Sequence, residues 1–234
     1  MQKNEILLGD CLEVMRGMAD KSVDLVLTDP PYGIGAGDGC IASVGSKKWA
    51  PRRQFATKTW DAEIPPADYF LEMQRVAKHC IIFGGNYFAH LLPPSRCWLV
   101  WDKLNGATSF ADCELAWTNL PGSVRKFEYL WNGLATQQAS DKQDRVHPAQ
   151  KPVGLFQAIL ERYAAPGALV LDPFSGSGTT AVACHNLGLD FLCIEKDPDY
   201  HAASVARLAK HRAQGLLPLA AAPVAQQAEL CLGE

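Results

Sequence analysis

Apolar and polar positions follow two alternating patterns in the second half of the chain. Apolar residues at helical spacing predict helices that begin near Pro152, after Thr179 and at Asp199. Short continuous apolar runs at 168–171 and 191–194 lie between them and are typical of buried strands. Strands that alternate with helices pair in parallel, so this half predicts a doubly wound α/β sheet.

The first half contains similar units at less regular spacing. Strands are predicted at 5–9 and 23–28, and an amphipathic helix at 67–78 leads into a strand at 80–83. Further segments have weaker patterns, namely helices at 11–18 and 86–92 and strands at 97–101, 114–118 and 127–131. The strands at 97–101 and 114–118 are expected to form the antiparallel edge that mixed sheets often carry.

Three segments show no regular pattern. Residues 33–66 are rich in glycine, proline and basic residues, and a loop of that length predicts a functional loop or lid. Residues 121–149 are polar and turn-rich apart from the strand-like piece at 127–131. Residues 216–234 are of low complexity and are expected to be frayed, which leaves 1–215 as a single domain.

Composition narrows the class of protein without identifying it. The 234 residues are 48% hydrophobic and 20% charged, as expected for one globular domain. The sequence shows no signal peptide and no apolar run approaching 18 residues, so a cytoplasmic protein without membrane contact is expected. The eight cysteines form no C-x-x-C pair and are interpreted as reduced.

Charge is distributed unevenly along the chain. The net charge is −3, yet 40–60 contains five basic residues, no acidic residue and interleaved aromatic rings. This pattern is typical of a surface that contacts phosphates and stacks on bases, although most charged runs are only solvated loops. The candidate DNA-binding residues are Lys47, Lys48, Trp49, Arg52, Arg53 and Lys58, with Arg125 and Lys126 in the later polar segment.

Asp29-Pro30-Pro31-Tyr32 follows the predicted strand at 23–28. The motif presents a carboxylate, a rigid backbone and an aromatic ring where a strand leaves the sheet, and ligands bind at such strand ends. A Pro-Pro turn with Tyr32 as a packing residue is the alternative interpretation.

A glycine-rich turn at 172–180 follows the predicted strand at 168–171 and precedes a helix. Its glycines allow a ligand to approach the backbone, and Glu195 stands 19 residues after Gly176, where dinucleotide sites carry an acid for ribose hydroxyls. No Gly-Lys-Ser/Thr follows, which excludes a P-loop, and Ala181 breaks the G-x-G-x-x-G pattern. A turn that only permits close packing is the alternative.

Together these motifs resemble the S-adenosylmethionine-dependent DNA amino-methyltransferases, and more narrowly their β-group, in which the catalytic motif precedes the cofactor motif. The matching segments are Leu8-Gly9-Asp10, Asp29-Pro30-Pro31-Tyr32, Phe83-Gly84-Gly85, His147-Pro148-Ala149-Gln150-Lys151-Pro152, Asp172 to Thr180, and Glu195. The resemblance implies a mostly parallel, Rossmann-like methyltransferase sheet with an antiparallel edge and a circularly permuted motif order.

The resemblance also implies roles for individual residues. Asp10 would contact the adenine of S-adenosylmethionine, Glu195 its ribose, and the helix after His147 its methionine end. The full set of candidate cofactor-binding residues is Asp10, Cys11, Asp29, His147, Lys151, Pro152, Asp172, Pro173, Phe174, Ser175, Gly176, Ser177, Gly178, Thr179, Glu195 and Lys196. The candidate catalytic residues are Asp29, Pro30, Pro31 and Tyr32.

In such an enzyme the target base is flipped out of double-stranded DNA. The Asp29 side chain and the Pro30 carbonyl are expected to accept the two amino hydrogens, and Tyr32 is expected to stack on the base. Neither a cysteine nucleophile nor a metal is needed, because the sulfonium of the cofactor is already a good leaving group.

The resemblance leaves the target open. D-P-P-Y goes more often with adenine N6, so adenine is favoured and cytosine N4 is the alternative. An RNA or protein amide methyltransferase, or an inactive cofactor- and DNA-binding regulator, is less favoured. The 121–146 segment is short for target recognition, which suggests a brief site, loose specificity or help from 33–66. A homodimer and a separate cognate restriction endonuclease are partners that the sequence neither requires nor excludes.

Overall fold

The structure, a computed structural model, describes residues 3–35, 60–106, 111–131, 137, 146–147 and 149–214. The strands in these ranges are β1 (Glu5–Leu8), β2 (Val23–Thr28), β3 (Ala77–Phe83), β4 (Trp98–Asp102), β5 (Cys113–Thr118), β6 (Arg125–Glu128), β7 (Leu169–Asp172) and β8 (Asp190–Glu195). The helices are α1 (Cys11–Arg16), α2 (Ala67–Val76), α3 (Val153–Tyr163), α4 (Thr179–Leu187) and α5 (Pro198–Ala213).

The strands form one sheet in the order β1-β8-β7-β2-β3-β5-β4-β6. Pairing is parallel from β1 through β8, β7 and β2 to β3, whereas β5 runs antiparallel to both β3 and β4. The edge strand β6 is parallel to β4. The predicted doubly wound, mostly parallel sheet with an antiparallel edge is therefore confirmed.

The sheet is buried on both faces, as parallel sheets are. In β2, Leu25 and Leu27 pack into a cluster that contains Phe156 of α3, whereas Val26 packs on the opposite face with Phe70 of α2. Successive strand residues point to opposite faces, so an unbroken apolar run is what a two-sided core requires. This explains why the buried strands could be recognised from short apolar runs.

Three elements differ clearly from the sequence-based expectation. The strand predicted at 127–131 lies at Arg125–Glu128 as β6, where it pairs with β4. The predicted helix at 67–78 ends at Val76, and β3 begins at once at Ala77, because Ala77 pairs with Val23 of β2. Sheet pairing therefore overrides helical periodicity at these residues. The predicted helix at 86–92 is instead a series of turns, in which the Tyr87 and Phe88 amides donate to the carbonyls of Gly84 and Gly85.

The sequence segments without regular pattern are described only in part. The ends of the 33–66 segment lie side by side, since Gly35 N donates to the Asp61 carbonyl at 3.0 Å. Most of the basic patch and the tail at 216–234 lie outside the described residues. Among the described helices, none has the length and apolar character needed to cross a membrane.

Candidate active site

Parallel strands bring the predicted site residues to one edge of the sheet. Leu8 at the end of β1 pairs with Glu195 at the end of β8, and Asp172 at the end of β7 pairs with Cys193. Asp29 directly follows β2, which is the neighbour of β7. The motif that begins at Asp29 and the glycine-rich turn that begins at Asp172 therefore lie beside each other, although they are more than 140 positions apart in the sequence.

The glycine-rich turn at 172–180, here called the glycine loop, lies against Glu195. The loop and the Glu195 carboxylate together are called the cradle. Gly176 N donates to Glu195 Oε2 at 2.7 Å, and Asp197 N donates to Oε1 at 2.8 Å. Burial raises the pKa of Glu195, and these backbone donors oppose the rise. Each carboxylate oxygen keeps a second lone pair that can accept a hydrogen bond from a hydroxyl group.

Gly176 leaves open space within this cradle. Its φ is +50°, and a Cβ at this position would point into space whose nearest atoms, in the His147 ring, are 4.0 Å away. His147 itself packs between Trp60 and Tyr200, with ring centroids 4.8 and 4.3 Å away. A side chain on Gly176 would therefore enter the space between the loop and His147.

Asp10 lies at the neighbouring strand end and caps α1. Its Oδ1 accepts a hydrogen bond from Leu12 N at 2.8 Å, and the Tyr69 hydroxyl lies 3.1 Å from Oδ2. Lys196 Nζ is 3.8 Å from the same carboxylate, on a side chain that is 81% exposed. Cys11 is buried, and burial raises the pKa of its thiol to about 12, so the thiol stays protonated at neutral pH.

Some predicted cofactor residues face the protein interior. Ser177 and Thr179 are buried against Arg207 of α5, whose Nη1 donates to the Ser177 carbonyl at 3.0 Å. The Thr179 hydroxyl donates to the Lys151 carbonyl at 3.1 Å. This bond joins the glycine loop to Lys151, two residues before α3. The remaining members, Pro152, Pro173, Phe174, Ser175 and Gly178, lie at the ends of α3, β7 and α4.

Asp172 is also directed inward. Its carboxylate accepts hydrogen bonds from Thr28 Oγ1 at 2.7 Å, Thr180 Oγ1 at 2.6 Å and Phe174 N at 3.1 Å. The side chain thus joins the ends of β7 and β2 to the start of α4. Burial raises its pKa from 3.8 to about 6.

This raised pKa predicts a pH dependence of stability. Between about pH 4 and 6 the folded state keeps a proton on Asp172 that the unfolded state has lost, so stability falls as the pH rises through this range. In Asp172→Asn this group does not titrate. We expect the unfolding free energy of wild type minus that of the variant to fall by about 2 kcal/mol between pH 4 and 7. Urea unfolding of both proteins at both pH values measures this difference. The contributions of the other carboxyl groups are common to the two proteins and cancel in it. A difference that does not change with pH would contradict the assignment.

The Asp29 carboxylate is held by two donors. Lys151 Nζ lies 2.5 Å from Oδ2, and the Tyr32 hydroxyl donates to Oδ1 at 2.5 Å. Burial raises the pKa of Asp29, and the Lys151 ammonium opposes the rise. Burial alone would lower the pKa of Lys151, but Asp29 and Glu114 raise it above its ordinary value, so Lys151 is charged.

The Tyr32 ring is packed against Tyr87 and Gly84. It stacks on Tyr87 with ring centroids 4.8 Å apart and an interplanar angle of 16°. Gly84 has a φ of +71°, and a Cβ there would overlap the Tyr32 ring. Gly84 of the predicted Phe83-Gly84-Gly85 element therefore provides the space that Tyr32 occupies.

Several residues of the site were missed by sequence reasoning. Glu114 Oε2 lies 3.1 Å from Lys151 Nζ and accepts from the Tyr32 hydroxyl at 3.2 Å, and Glu114 Oε1 pairs with Lys103 at 2.7 Å. Asp61 Oδ1 accepts from the backbone N–H groups of Tyr32 at 2.6 Å and Gly33 at 3.0 Å. A charge inside the predicted strand at 114–118 was a usable signal for Glu114, whereas nothing local distinguishes Asp61.

The candidate DNA-binding residues are only partly described. Arg125 and Lys126 are exposed on the edge strand β6. Lys126 Nζ lies 2.5 Å from Glu128 and 3.4 Å from Asp102, so its charge is shared with carboxylates. The other candidates, Lys47, Lys48, Trp49, Arg52, Arg53 and Lys58, lie outside the described residues.

Comparison with known proteins agrees with this geometry. Residues 98–206 match the family model described as DNA methylase, of the N6/N4 type. YubD of Escherichia coli (strain K12), which is named as a methylase, is 29% identical over 223 residues that cover 88% of this chain and 90% of YubD. The type II methyltransferase M.HinfI of Haemophilus influenzae is 23% identical over 251 residues, covering 88% of this chain and 68% of M.HinfI.

Solved structures share the fold. The PvuII DNA methyltransferase, which is cytosine-N4-specific, superposes with a TM-score of 0.56 at 16% identity and covers 91% of each chain. The M1.HpyAVI–SAM complex gives a TM-score of 0.52 at 21% identity, covering 87% of this chain and 98% of the other. Residues 98–206 thus match the N6/N4 DNA methylase model, and the chain as a whole is similar to the S-adenosylmethionine-dependent DNA amino-methyltransferases, as its motifs predicted.

Proposed function

We propose that this chain transfers a methyl group from S-adenosylmethionine to the exocyclic amino group of a base flipped out of double-stranded DNA, with adenine N6 as the target. The observation that carries the proposal is the position of Lys151, which joins the two motifs. Its ammonium binds Asp29, and its carbonyl accepts from Thr179 of the glycine loop. A donor held by the loop would therefore lie beside the carboxylate of the catalytic motif.

The residues of the cradle fit a nucleoside cofactor. The free lone pairs of Glu195 suit ribose hydroxyls, and the space that a Cβ on Gly176 would fill allows close approach of the ligand. We assign Asp10, which caps α1, to the adenine, and His147, which lies beside the glycine loop, to the methionine end. When bound, the cofactor supplies a methyl group on a sulfonium sulfur, which keeps the bonding electrons and leaves as a neutral thioether.

Asp29 and Pro30 prepare the amino nitrogen for attack. An exocyclic amino group is a poor nucleophile because its lone pair is delocalised into the ring. Acceptance of its two hydrogens by the Asp29 carboxylate and the Pro30 carbonyl would favour a tetrahedral nitrogen whose lone pair forms the new N–C bond. Proline has no N–H, so the turn presents acceptors without competing donors. The methylated nitrogen then loses one proton, which Asp29 accepts and releases to water.

Tyr32 is assigned to stacking on the flipped base. In the present arrangement its ring stacks on Tyr87, which is 40% exposed. A base that stacks on the same face of Tyr32 would displace Tyr87, and the exposure of Tyr87 allows this movement. The extrusion of the base costs a few kcal/mol of unstacking.

Asp61 is predicted to orient the catalytic turn. It is 2% exposed, and Asp61→Ala would leave the backbone N–H groups of Tyr32 and Gly33 without this acceptor. We expect the methyl-transfer rate to fall about 10²-fold, since small misplacements of reacting groups have effects of that size. Asp61→Asn keeps an acceptor oxygen and is the matched control. Single-turnover rates measure both variants, and equal rates in Asp61→Ala and wild type would contradict the prediction.

The function is tested by identifying the product. DNA is incubated with the protein and cofactor labelled in the methyl group, digested to nucleosides and separated. Label in N6-methyldeoxyadenosine supports the proposal, and label in N4-methyldeoxycytidine supports the same reaction with the alternative base. Label found in RNA or protein substrates and not in DNA would overturn the proposal.

A further inference from the structure

Four charged side chains form a continuous row through the candidate site. Lys103 Nζ lies 2.7 Å from Glu114 Oε1, Glu114 Oε2 lies 3.1 Å from Lys151 Nζ, and Lys151 Nζ lies 2.5 Å from Asp29 Oδ2. The signs alternate, so the row as a whole is neutral. The ends of the row come from the loop after β4 and the turn after β2, with Glu114 on β5 between them.

Asp29 and Glu114 compete for the same two donors. The Tyr32 hydroxyl is 2.5 Å from Asp29 Oδ1 and 3.2 Å from Glu114 Oε2. The Lys151 ammonium likewise contacts both carboxylates, and it is nearer to Asp29. In this arrangement both Asp29 oxygens already accept short hydrogen bonds, which weakens them as acceptors for another N–H group.

We propose that Glu114 is a positioning residue for methyl transfer, which takes over the Lys151 ammonium and the Tyr32 hydroxyl when Asp29 accepts the amino group of the base. Lys103 holds Glu114 at the required distance through its other oxygen. This inference rests on the proposed function, since it assigns the acceptor role to Asp29. It gives Lys151, first predicted as a cofactor-binding residue, a role in orienting Asp29.

The movement that this requires is small. Glu114 is already within hydrogen-bond or ion-pair distance of both donors, so the handover lengthens the contacts to Asp29 and shortens those to Glu114 without breaking the row. Removal of the Glu114 charge would leave the Lys103 ammonium without its carboxylate partner, which is costly, whereas without Asp29 both ammonium groups still contact Glu114. A purely structural role for Glu114 would consist only of this charge balance, so the two roles can be separated by restoring the balance.

The charged groups around Asp29 also determine the direction of a pH effect. Lys151, Glu114 and Tyr32 face its carboxylate, and Asp172 lies at the neighbouring strand end. The negative charge of Glu114 contributes to the raised pKa of Asp29. A neutral residue at 114 would therefore move the acidic limb of the pH–rate profile to lower pH.

The first test is Glu114→Gln, which keeps the shape and removes the charge. We expect the single-turnover rate of methyl transfer to fall about tenfold or more, with the cofactor Kd changed by less than about twofold and the acidic limb shifted to lower pH. Asp20→Asn removes a carboxylate from an exposed ion pair with Arg75 and serves as the control with unchanged rate. A rate and pH profile equal to wild type in Glu114→Gln would overturn the inference.

A double variant separates the positioning role of Glu114 from its role in charge balance. It also keeps the inference testable if Glu114→Gln alone does not fold. Lys103→Met combined with Glu114→Gln leaves only the neutral Asp29–Lys151 pair, so we expect a melting temperature near that of wild type. If Glu114 positions Lys151 and Tyr32, the rate stays low in this folded double variant. Recovery of the wild-type rate would show that charge balance alone matters and would overturn the inference. If the wild-type protein transfers no methyl group to DNA, the proposed function itself is wrong, which is a different outcome from a failure of this inference.

Discussion

Asp29→Ala is expected to abolish methyl transfer to DNA while leaving cofactor binding nearly intact. The reduction should reach about 10³-fold or more, because the variant loses both an acceptor for the amino hydrogens and a base for the released proton. The cofactor cradle at Glu195 and Gly176 does not depend on Asp29, so the Kd for S-adenosylmethionine should stay within a few-fold of wild type. Single-turnover assays and isothermal titration calorimetry measure the two quantities.

The fold should tolerate this change. In Asp29→Ala the Lys151 ammonium still has Glu114 as a partner, and Tyr32 can donate to the same carboxylate. Asp68→Ala is a suitable control, because Asp68 lies on α2 with an exposed side chain that pairs only at 3.3 Å with Arg16. Normal activity in Asp29→Ala would contradict the assignment of this residue, and so would a loss of activity that is explained entirely by lost cofactor binding.

Lys151→Met is expected to have the largest effect on stability. Lys151 is 7% exposed and lies between the carboxylates of Asp29 and Glu114. Without its ammonium these carboxylates lose their shared cation, and breaking such a buried pair costs about 3 to 5 kcal/mol. For a chain of this length that corresponds to a decrease in melting temperature of about 10 °C or more.

The sign of the pH dependence provides a stricter check. In the variant, the pKa of Asp29, which burial already raises, rises further, and the pKa of Glu114, which Lys151 and Lys103 lower to about 2 against the effect of burial, rises as well, because Lys151 no longer opposes burial. Stability of the variant should therefore fall as the pH rises, and the deficit relative to wild type should be smallest in acid. Thermal unfolding at several pH values measures it. Lys78→Met, which breaks an exposed pair with Asp24, should change stability by less than about 1 kcal/mol. A pH-independent deficit in Lys151→Met would contradict the proposed pairing.

The strands and the two motifs could be predicted because their signals are local. The apolar run before Asp29 and the run before Asp172 each mark a strand that is buried on both faces. Parallel pairing then requires the carboxyl ends of such strands to share an edge, which brings Asp29 and the glycine loop together. Glu195 was located by the same reasoning.

Contacts across the sheet could not be predicted in this way. Glu114 is 85 positions from Asp29, and the two meet at Lys151 because β5 enters the sheet antiparallel beside β3, which is the neighbour of β2. The inward direction of the Asp172 carboxylate depends similarly on Thr28 and Thr180, which come from two other elements. No spacing in the sequence encodes these distances.

By itself, the sequence determined the class of fold, the resemblance to a family and the position of the two candidate motifs, because hydrophobic periodicity and motif spacing depend on neighbours along the chain. Only the tertiary structure decided which groups surround Asp29: Lys151 and Tyr32 in direct contact, Glu114 and Lys103 behind them, and Asp61 under the turn. Strand order and register set these contacts, because they bring together side chains from segments that are far apart in the sequence.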